Sequence, residues 1–526
     1  MEDKAIYTAI TFAPVQGFIE KSRKLRDLYG ASEILSYLSK KIVDAANAYP
    51  GAEVISPGLP NLEQGMPNRI LIKGDFPQQL SEETLLSAWK EVLKYCREWV
   101  EDNLRQLGPY EEWQREWKKW ANHSWEIFWA QGNSPTEVMK ELETSKLERN
   151  WIAVNWIGES SSLSGTDAIV FPGLGGQRRN PKDIDYNQEK KQIENFYTLL
   201  ATTTESTTTS EVEGKFIAPN EKLSIPELTK RLVTWPKIAQ RFGMTSLDEG
   251  FRDIQRKPTK DTSGQWTGWF MGDGDRVGKY LQDIAETQGD KGIRQFSHDM
   301  RNWGQNFIEA FSYGRIIYAG GDDFLGIIYS DRAKNPIPAF TAYEWLMTLS
   351  DRWKQHGHSI TLSLGFVWVA GSVPQRDVLQ HCRQAEKRSK SLGRNRLTIR
   401  IVFNSGQYIQ WTCPWDYLHI LKKYQDRNGN TYEKWECSGR DKKYQPNWTH
   451  IYSDLAQLKA RHAIDLNIDE DSIDDRLALA LFNIYFNDQQ KLSNDAKHIV
   501  GKDSPKQIIQ WINDLINVGW QLCTDI

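Results

Sequence analysis

The 526-residue chain predicts an α+β fold in which one supersecondary order, β-α-β-β-α-β, occurs twice. Two observations carry this. Short β-prone runs alternate with long helical periodicities in the same order near the N-terminus and again past residue 263. Between and after these units the strand pattern fades, leaving mostly helical stretches. A hydrophobic fraction of 39% with 22 tryptophans supplies enough apolar surface for folded cores. At ~100–200 residues per domain the length fits three or four domains.

The first unit begins with a strand over Tyr7–Phe12 that stops at Pro14, since proline ends a ladder. A helix is expected from Val15 to Ala48, strands at Glu53–Ser56 and Arg69–Lys73, a helix over Ser81–Trp120 and a strand at Trp125–Trp129. This order is the ferredoxin-like arrangement. Trp113, Trp117 and Trp120 share one helix face, as a buried stripe against the sheet or as a stacking platform for bases.

Residues 133–262 differ. Gly158–Gly176 is rich in serine and glycine, and Ala201–Gly214 is a threonine-serine-glutamate tract that buries too little apolar surface to fold alone and is expected as an exposed loop. The second unit, 263–405, has strands at Trp266–Asp273, Arg315–Ala319, Phe324–Tyr329 and Ser359–Val369. Its helices are Asp275–Tyr313, broken near Gly289, and Pro336–Lys354. A helix at Pro374–Ser389 and a strand at Leu397–Phe403 are additions to the frame. From Trp411 onward helices dominate, including Asp475–Phe486 and Pro505–Val518. The domain reading is 1–132, 133–262, 263–405 and 406–526.

The balance of charge excludes some functions. With 66 basic and 69 acidic residues, net −3, the chain is no polycation, so nucleic-acid contact must come from local patches. The five cysteines, Cys96, Cys382, Cys413, Cys437 and Cys523, form no C-x-x-C pair, which argues against a disulfide framework or a zinc knuckle. The N-terminus lacks the order of a signal peptide, and no run of ~18 apolar residues would span a bilayer. A cytoplasmic protein with no membrane partner is expected.

The chemistry concentrates in Met271-Gly272-Asp273-Gly274-Asp275 and Gly320-Gly321-Asp322-Asp323. In the β-α-β-β-α-β sheet, strands one and three are central antiparallel neighbours. The end of strand one, Asp273, therefore lies beside the turn that opens strand three with Asp322 and Asp323. Three converging carboxylates repel unless divalent cations neutralise them; Mg²⁺ suits the role because it takes oxygen ligands and shares them with phosphates. Two such ions would lower the pKa of an attacking hydroxyl and stabilise leaving pyrophosphate, with the Gly274 carbonyl as a further oxygen. Gly320 and Gly321 permit positive φ in the turn and let a triphosphate approach the backbone; the plainer alternative is a Gly-Gly hairpin followed by solvated aspartates. Downstream, Lys390 within Ser389–Arg396 would place a point charge on phosphates, or is one cation of a basic surface with Arg383, Lys387, Arg388 and Arg400.

These residues resemble the nucleotidyl-cyclase Palm superfamily, whose landmarks match Asp273, the Gly320–Asp323 turn and Lys390…Gly393-Arg394-Asn395 in order. The N-terminal block Ala13-Pro14-Val15-Gln16-Gly17-Phe18-Ile19, then Arg23–Ser32 and Leu35-Ser36-Tyr37-Leu38, is similar to the large subunit of type III CRISPR effector complexes, most of all the Cmr-complex large subunit. Met66-Pro67-Asn68-Arg69 and Glu221-Lys222-Leu223…Lys230-Arg231 agree, and the match covers about residues 6–405. The resemblance implies a degenerate first Palm, a helical domain, a second Palm and a helical C-terminal domain. It implies conversion of ATP to cyclic oligoadenylates on target-RNA binding, with Mg²⁺ (or Mn²⁺) held by Asp273, Gly274, Asp322 and Asp323. Gly320, Gly321 and Lys390 would meet the nucleotide. Implied partners are backbone repeat subunits, a repeat-tag-binding subunit, a small helical subunit, CRISPR RNA and target RNA.

Two departures from the family pattern bear on activity. The first Palm starts near residue 6, leaving no room for the HD nuclease domain of many members, and His298-Asp299 reads as a helix-surface or core pair; no DNase activity is expected. The stretch Ser160–Pro172, where a cysteine knuckle often stands, has no cysteine, so zinc is not expected and packing alone would hold that domain. Lys21, Arg23, Lys24 and Arg26 read as a solvated helix face as readily as a ligand contact and are given no role. Two other readings stay open: a scaffold or RNA-binding subunit with a silent cyclase site, and a free-standing cyclase.

Overall fold

The computed structural model describes the whole chain except residues 1–4, 63–64, 109, 111–112, 149–155, 157, 176–181, 183, 205–215, 248–253, 255, 258–263, 333–334, 465–474, 503 and 525–526. The fold is α+β and divides into two compact units. The first comprises Met1–Gln255, Gly278–Ile308 and Ile317–Gly321; the second, Arg256–Val277, Glu309–Ile316 and Asp322–Ile526.

In the first unit β1 (Tyr7–Ala13), β2 (Glu53–Ser56), β3 (Ile70–Lys73) and β4 (Glu126–Gly132) form a sheet of order β2-β3-β1-β4. β1 pairs antiparallel with both β3 and β4, the expected ferredoxin-like order. The expected long N-terminal helix is in fact two, α1 (Val15–Glu20) and α2 (Leu25–Ala48). The break has a polar cause. Asp27 accepts from the Arg23 and Lys24 backbone N–H groups, each at 2.9 Å, capping α2 at its first turn.

Helices α3 (Gln78–Asn103) and α4 (Gln114–His123) follow. Trp113 and Trp117 are buried in the core while Trp120 packs against it, so the tryptophan stripe is packing. Phe18 and Trp89 each meet Trp125 there, with ring centroids 5.0 and 5.7 Å apart. Each such fully buried side chain contributes about 1.5–3 kcal/mol through its removal from water.

Beyond β4 come α5 (Pro135–Ser145), α6 (Tyr186–Thr203), α7 (Ile225–Leu232) and α8 (Pro236–Phe242). Of the tract Ala201–Gly214, residues 201–203 end α6, and 205–214 lie outside the described residues. The Ser160–Pro172 stretch is held by more than packing. Ser160 bridges Ala168, Ile169 bridges Ser224, and the buried Tyr197 hydroxyl donates to the carbonyls of Val170 and Leu223 at 3.0 and 2.9 Å.

In the basic segment at the α1–α2 joint Arg23 is exposed, whereas its neighbours are paired or buried. Arg26 is buried, Lys24 pairs with Glu221 at 3.0 Å and Lys21 with Asp167 at 2.8 Å. From α7, Arg231 forks onto Asp27 at 2.9 and 3.0 Å and reaches Glu221 at 2.5 Å. Lys230 donates to the carbonyls of Phe18 and Lys21. Burial pulls this amine down to about 8, though Asp27 and Glu227 act against it.

The second sheet is six-stranded, of order β10-β9-β8-β5-β7-β6. Its strands are β5 (Thr267–Gly274), β6 (Gly314–Ala319), β7 (Asp323–Ile328), β8 (Leu362–Val369), β9 (Arg396–Val402) and β10 (Tyr408–Pro414). Every residue of β8 is buried, as its nearly continuous apolar run requires of a strand covered on both faces. Helix α9 (Val277–Glu309) leaves helical geometry at Gly289, φ 62°; α10 (Ala339–Lys354) and α11 (Gln375–Ser391) follow. β8 and β9 run parallel because α11 carries the chain back between them.

The helical reading from Trp411 onward needs one correction. Residues 408–414 are a strand paired along β9 from Tyr408↔Val402 to Pro414↔Arg396, for the alternation in Tyr-Ile-Gln-Trp-Thr-Cys buries Trp411 and Cys413. After it come α12 (Tyr432–Cys437), α13 (Thr449–Ala460), α14 (Arg476–Phe486), α15 (Gln489–Asn494), α16 (Ala496–Val500) and α17 (Pro505–Cys523). Among the described residues no helix is long and apolar enough to cross a membrane.

Candidate active site

In the second unit, antiparallel pairing of β5 with β7 sets Asp273 directly opposite Asp323. Residues in that relation have Cβ atoms about 4.5–5.5 Å apart. On its other side Asp273 faces Ser363 of β8. Asp322 precedes β7, and its carbonyl accepts the Gly274 N–H at 2.8 Å, drawing the turn onto the end of β5. Asp273, Gly274, Asp322 and Asp323 are thus brought together.

Lys390 arrives from the last turn of α11. Its ammonium lies 2.9 Å from an Asp273 oxygen and 2.6 Å from Glu386 one turn earlier. Gly365 lets the helix come this close: a Cβ there would stand 2.4 Å from the Cys382 carbonyl and 2.5 Å from the Glu386 nitrogen. In this arrangement Lys390 is the counterion of two carboxylates. The basic surface it was set against loses Arg400, which is buried.

A residue that sequence reasoning left without a role holds the assembly. Asp275 is only 5% exposed and accepts from Ser363 Oγ (2.7 Å), Thr361 Oγ1 (2.8 Å) and the Asn395 backbone N–H (2.9 Å). Its own N–H donates to the Thr361 carbonyl at 2.7 Å. It therefore ties the end of β5 to β8 and to the turn after Lys390. In that turn Gly393, Arg394 and Asn395 all take positive φ, 125°, 66° and 51°, a costly conformation for the two non-glycine residues unless neighbours enforce it. The Asp-Gly-Asp spacing was the available signal, and the four-residue step from Glu386 to Lys390 was the signal for Glu386.

Like charges strain the site. Burial raises the Asp273 carboxyl above its ordinary range, Lys390 pulls it back, and Asp275 adds to the rise. Asp323 has an exposed surface yet is closely surrounded by protein mass; that surrounding, then Asp322 and Asp273, raises its carboxyl. The mutual repulsion is the firmer cause, since solvent reaches the side chain. Burial likewise raises Glu386 against the pull of Lys390. Burial lowers Lys390, but Glu386 and Asp273 more than reverse this.

The glycines of the turn meet a different need from the one expected. Neither Gly320 nor Gly321 has positive φ. Within the first unit, a Cβ on Gly320 would come 2.9 Å from the Gly65 carbonyl, whereas one on Gly321 would meet only Pro67 at 3.4 Å. Close backbone approach, not turn handedness, calls for glycine at 320. Arg301 of α9 secures the same place, donating to the carbonyls of Gly65, Gly320 (2.9 Å), Asn61 (3.1 Å) and Leu59 (3.3 Å). His298 lies half-exposed on α9 near Asp299.

Among the described residues no three acidic, histidine or cysteine side chains stand ready as a metal cage. The donor set nevertheless fits a hard divalent cation: carboxylate oxygens only, two of them opposed across a strand pair, with Asp322 and Asp273 both raising Asp323.

Residues 267–398 match the family model described as Cas10/Cmr2, second palm domain, and residues 7–94 match that of CRISPR-associated protein Cmr2, N-terminal. In these two segments, taken in this order along one chain, the protein is similar to Cas10/Cmr2-type proteins. No curated protein matches. Among solved structures the chain is similar to a Csm1–Csm4 cassette in complex with one ATP, at TM-score 0.50 and 13% identity over 99% of this chain and 70% of that one. It is also similar to the apo Csm1–Csm4 cassette, at TM-score 0.49, 13% identity and the same coverage. At this identity the likeness to the ATP-bound cassette shows a shared fold and nothing more.

Proposed function

We propose that this chain is the subunit that converts ATP to cyclic oligoadenylates when a CRISPR-RNA-guided type III complex binds target RNA. The observation that carries the reading is the opposition of Asp273 and Asp323 across β5 and β7, with Asp322 at the turn and Lys390 beside them, within a Cas10/Cmr2 second palm domain. The similar Csm1–Csm4 cassette was solved with one ATP, and nucleotide binding is carried to this chain as part of the proposal. So are assembly with other complex subunits and a cytoplasmic location.

Asp273, Asp322, Asp323 and the Gly274 carbonyl would hold Mg²⁺ or Mn²⁺, which when bound lowers the pKa of the attacking hydroxyl and neutralises charge on the leaving pyrophosphate. A ribose hydroxyl oxygen bonds to the α-phosphorus of ATP and the bond to pyrophosphate breaks. Lys390, freed from Asp273, places its ammonium on a phosphate oxygen. Asp275 keeps the Lys390 segment in register with the strands. Gly321, where a Cβ would meet only Pro67, lets phosphates approach the main chain.

The assembled complex, target RNA, Mg²⁺ and labelled ATP test this. Oligoadenylate should form, and Asp322→Ala with Asp323→Ala should lower its yield by about 10²-fold or more, the scale of removing a principal charge stabiliser. No product, or an unchanged yield in the double variant, overturns the assignment. The Lys390–Asp273 ion pair favours a second reading, a scaffold subunit whose silent site is neutralised by its own lysine; that reading expects no product in the same assay. RNA-independent product from the isolated chain would instead indicate a free-standing cyclase.

A further inference from the structure

At the end of β9 remote from the carboxylates, the start of α11 and the β9–β10 turn enclose a recess of about 600 Å³. Asp377, Gln380, His381, Gln384, Asn404 and Tyr408 line it. A volume of this order is that of an ordinary small-ligand site. Its walls are stiffened from behind by Arg400, which is 3% exposed. The guanidinium donates to His381 Nδ1 at 2.9 Å, Gln384 Oε1 at 2.7 Å and Gln410 Oε1 at 2.8 Å, and lies 4.1 Å from the Tyr408 ring centre.

These bonds fix what the recess offers. A guanidinium only donates, so His381 Nδ1 accepts and Nε2 carries the proton of the neutral ring. Burial and the Arg400 charge both favour that neutral form. Gln384, its oxygen engaged, keeps its amide N–H groups as donors, while Asp377 and Gln380 add acceptors. Tyr408 remains 44% exposed, an aromatic face backed by a cation.

A second feature leads to this platform. Arg376, Gln380, Arg383 and Lys387 recur along α11 at helical spacing, with Arg376, Gln380 and Lys387 exposed and Arg383 half-buried. From Arg376 to Lys387 is about 16 Å of helix, enough for several phosphates of one strand at about 3.4 Å per stacked nucleotide. Cations that follow a backbone, beside an aromatic that stacks a base, are the physical requirements for holding a single strand.

We propose that this face of α11 and the Tyr408 recess bind single-stranded RNA. Phosphates lie along Arg376, Arg383 and Lys387, one base stacks on Tyr408, and its edge meets His381 and Gln384. The amide-rich lining suits a 2′-hydroxyl, which both donates and accepts. The site stands apart from the carboxylates and does not depend on the cyclase reading.

Fluorescence anisotropy of the full chain with a fluorescein-labelled single-stranded RNA of about ten nucleotides, without ATP or Mg²⁺, tests it. Tyr408→Ala should weaken binding about tenfold, and Tyr408→Phe should preserve it. Arg376→Glu with Lys387→Glu should weaken it and reduce the salt slope by about two. Asp322→Ala with Asp323→Ala should leave it unchanged. Wild-type affinity in Tyr408→Ala, equal affinity for duplex RNA, tighter binding of the corresponding DNA strand, or loss of binding in the aspartate double variant each overturns the proposal.

Discussion

The two sheets share the β-α-β-β-α-β order, while the two units arrange their charges in opposite ways. In the first, acids and bases are matched in the interior: Arg231, fully buried, forks onto Asp27 and reaches Glu221, which Lys24 also holds. In the second, Asp273 and Asp323 confront each other across a strand pair, and Lys390 answers only the former and Glu386. Strand one of the first sheet ends on Ala13, strand one of the second on Asp273-Gly274. The frame thus tolerates either arrangement. In one, opposite charges are matched within the fold; in the other, like charges stand opposed and raise the Asp323 carboxyl.

The largest test of this contrast is Arg231→Ala. Removing the shared cation leaves Asp27 and Glu221 buried without it, which should cost about 3–5 kcal/mol in chemical denaturation; a loss below about 1 kcal/mol would erase the distinction between the units. Next is the acid limb of stability. Burial alone would raise Glu221, but Arg231 and Lys24 outweigh it and hold the carboxyl at about 2, below its unfolded value. Its stabilisation is therefore complete above about pH 4.5 and fades as pH falls through about 2. The contribution is on the order of 3 kcal/mol, and Glu221→Gln should remove that part of the pH dependence. The smallest effect belongs to the second unit. Asp323→Asn, at an exposed position relieved of repulsion, should leave metal-free stability within about 0.5 kcal/mol while product formation is lost. A large destabilisation there would mean the carboxylate serves the fold.

Much of the frame was legible because it depends on local pattern. The apolar runs of β5, β7 and β8 announce strands, and the ferredoxin-like order then brings Asp273 to Asp323 from opposite sides of α9. What escaped depends on partners distant in sequence. Arg26, Lys24 and Arg231 look like surface charges until Glu221 and Asp27 are placed beside them. Asp275 gains its meaning from Thr361, Ser363 and Asn395. Gly320 invited a turn-handedness explanation, although the contact that requires glycine comes from Gly65. The strand at 408–414 was hidden because β9, which it needs for pairing, had seemed to close the sheet.

Arg301 gives the acidic turn a mechanical character of its own. One guanidinium joins Leu59, Asn61 and Gly65 to Gly320, two residues before Asp322. Displacing either segment alone would strand N–H donors away from water, at about 1–3 kcal/mol for each group left unmet. Leu59, Asn61, Gly65 and Gly320 are therefore held as one piece by a single side chain, so that none of these carbonyls shifts without the others.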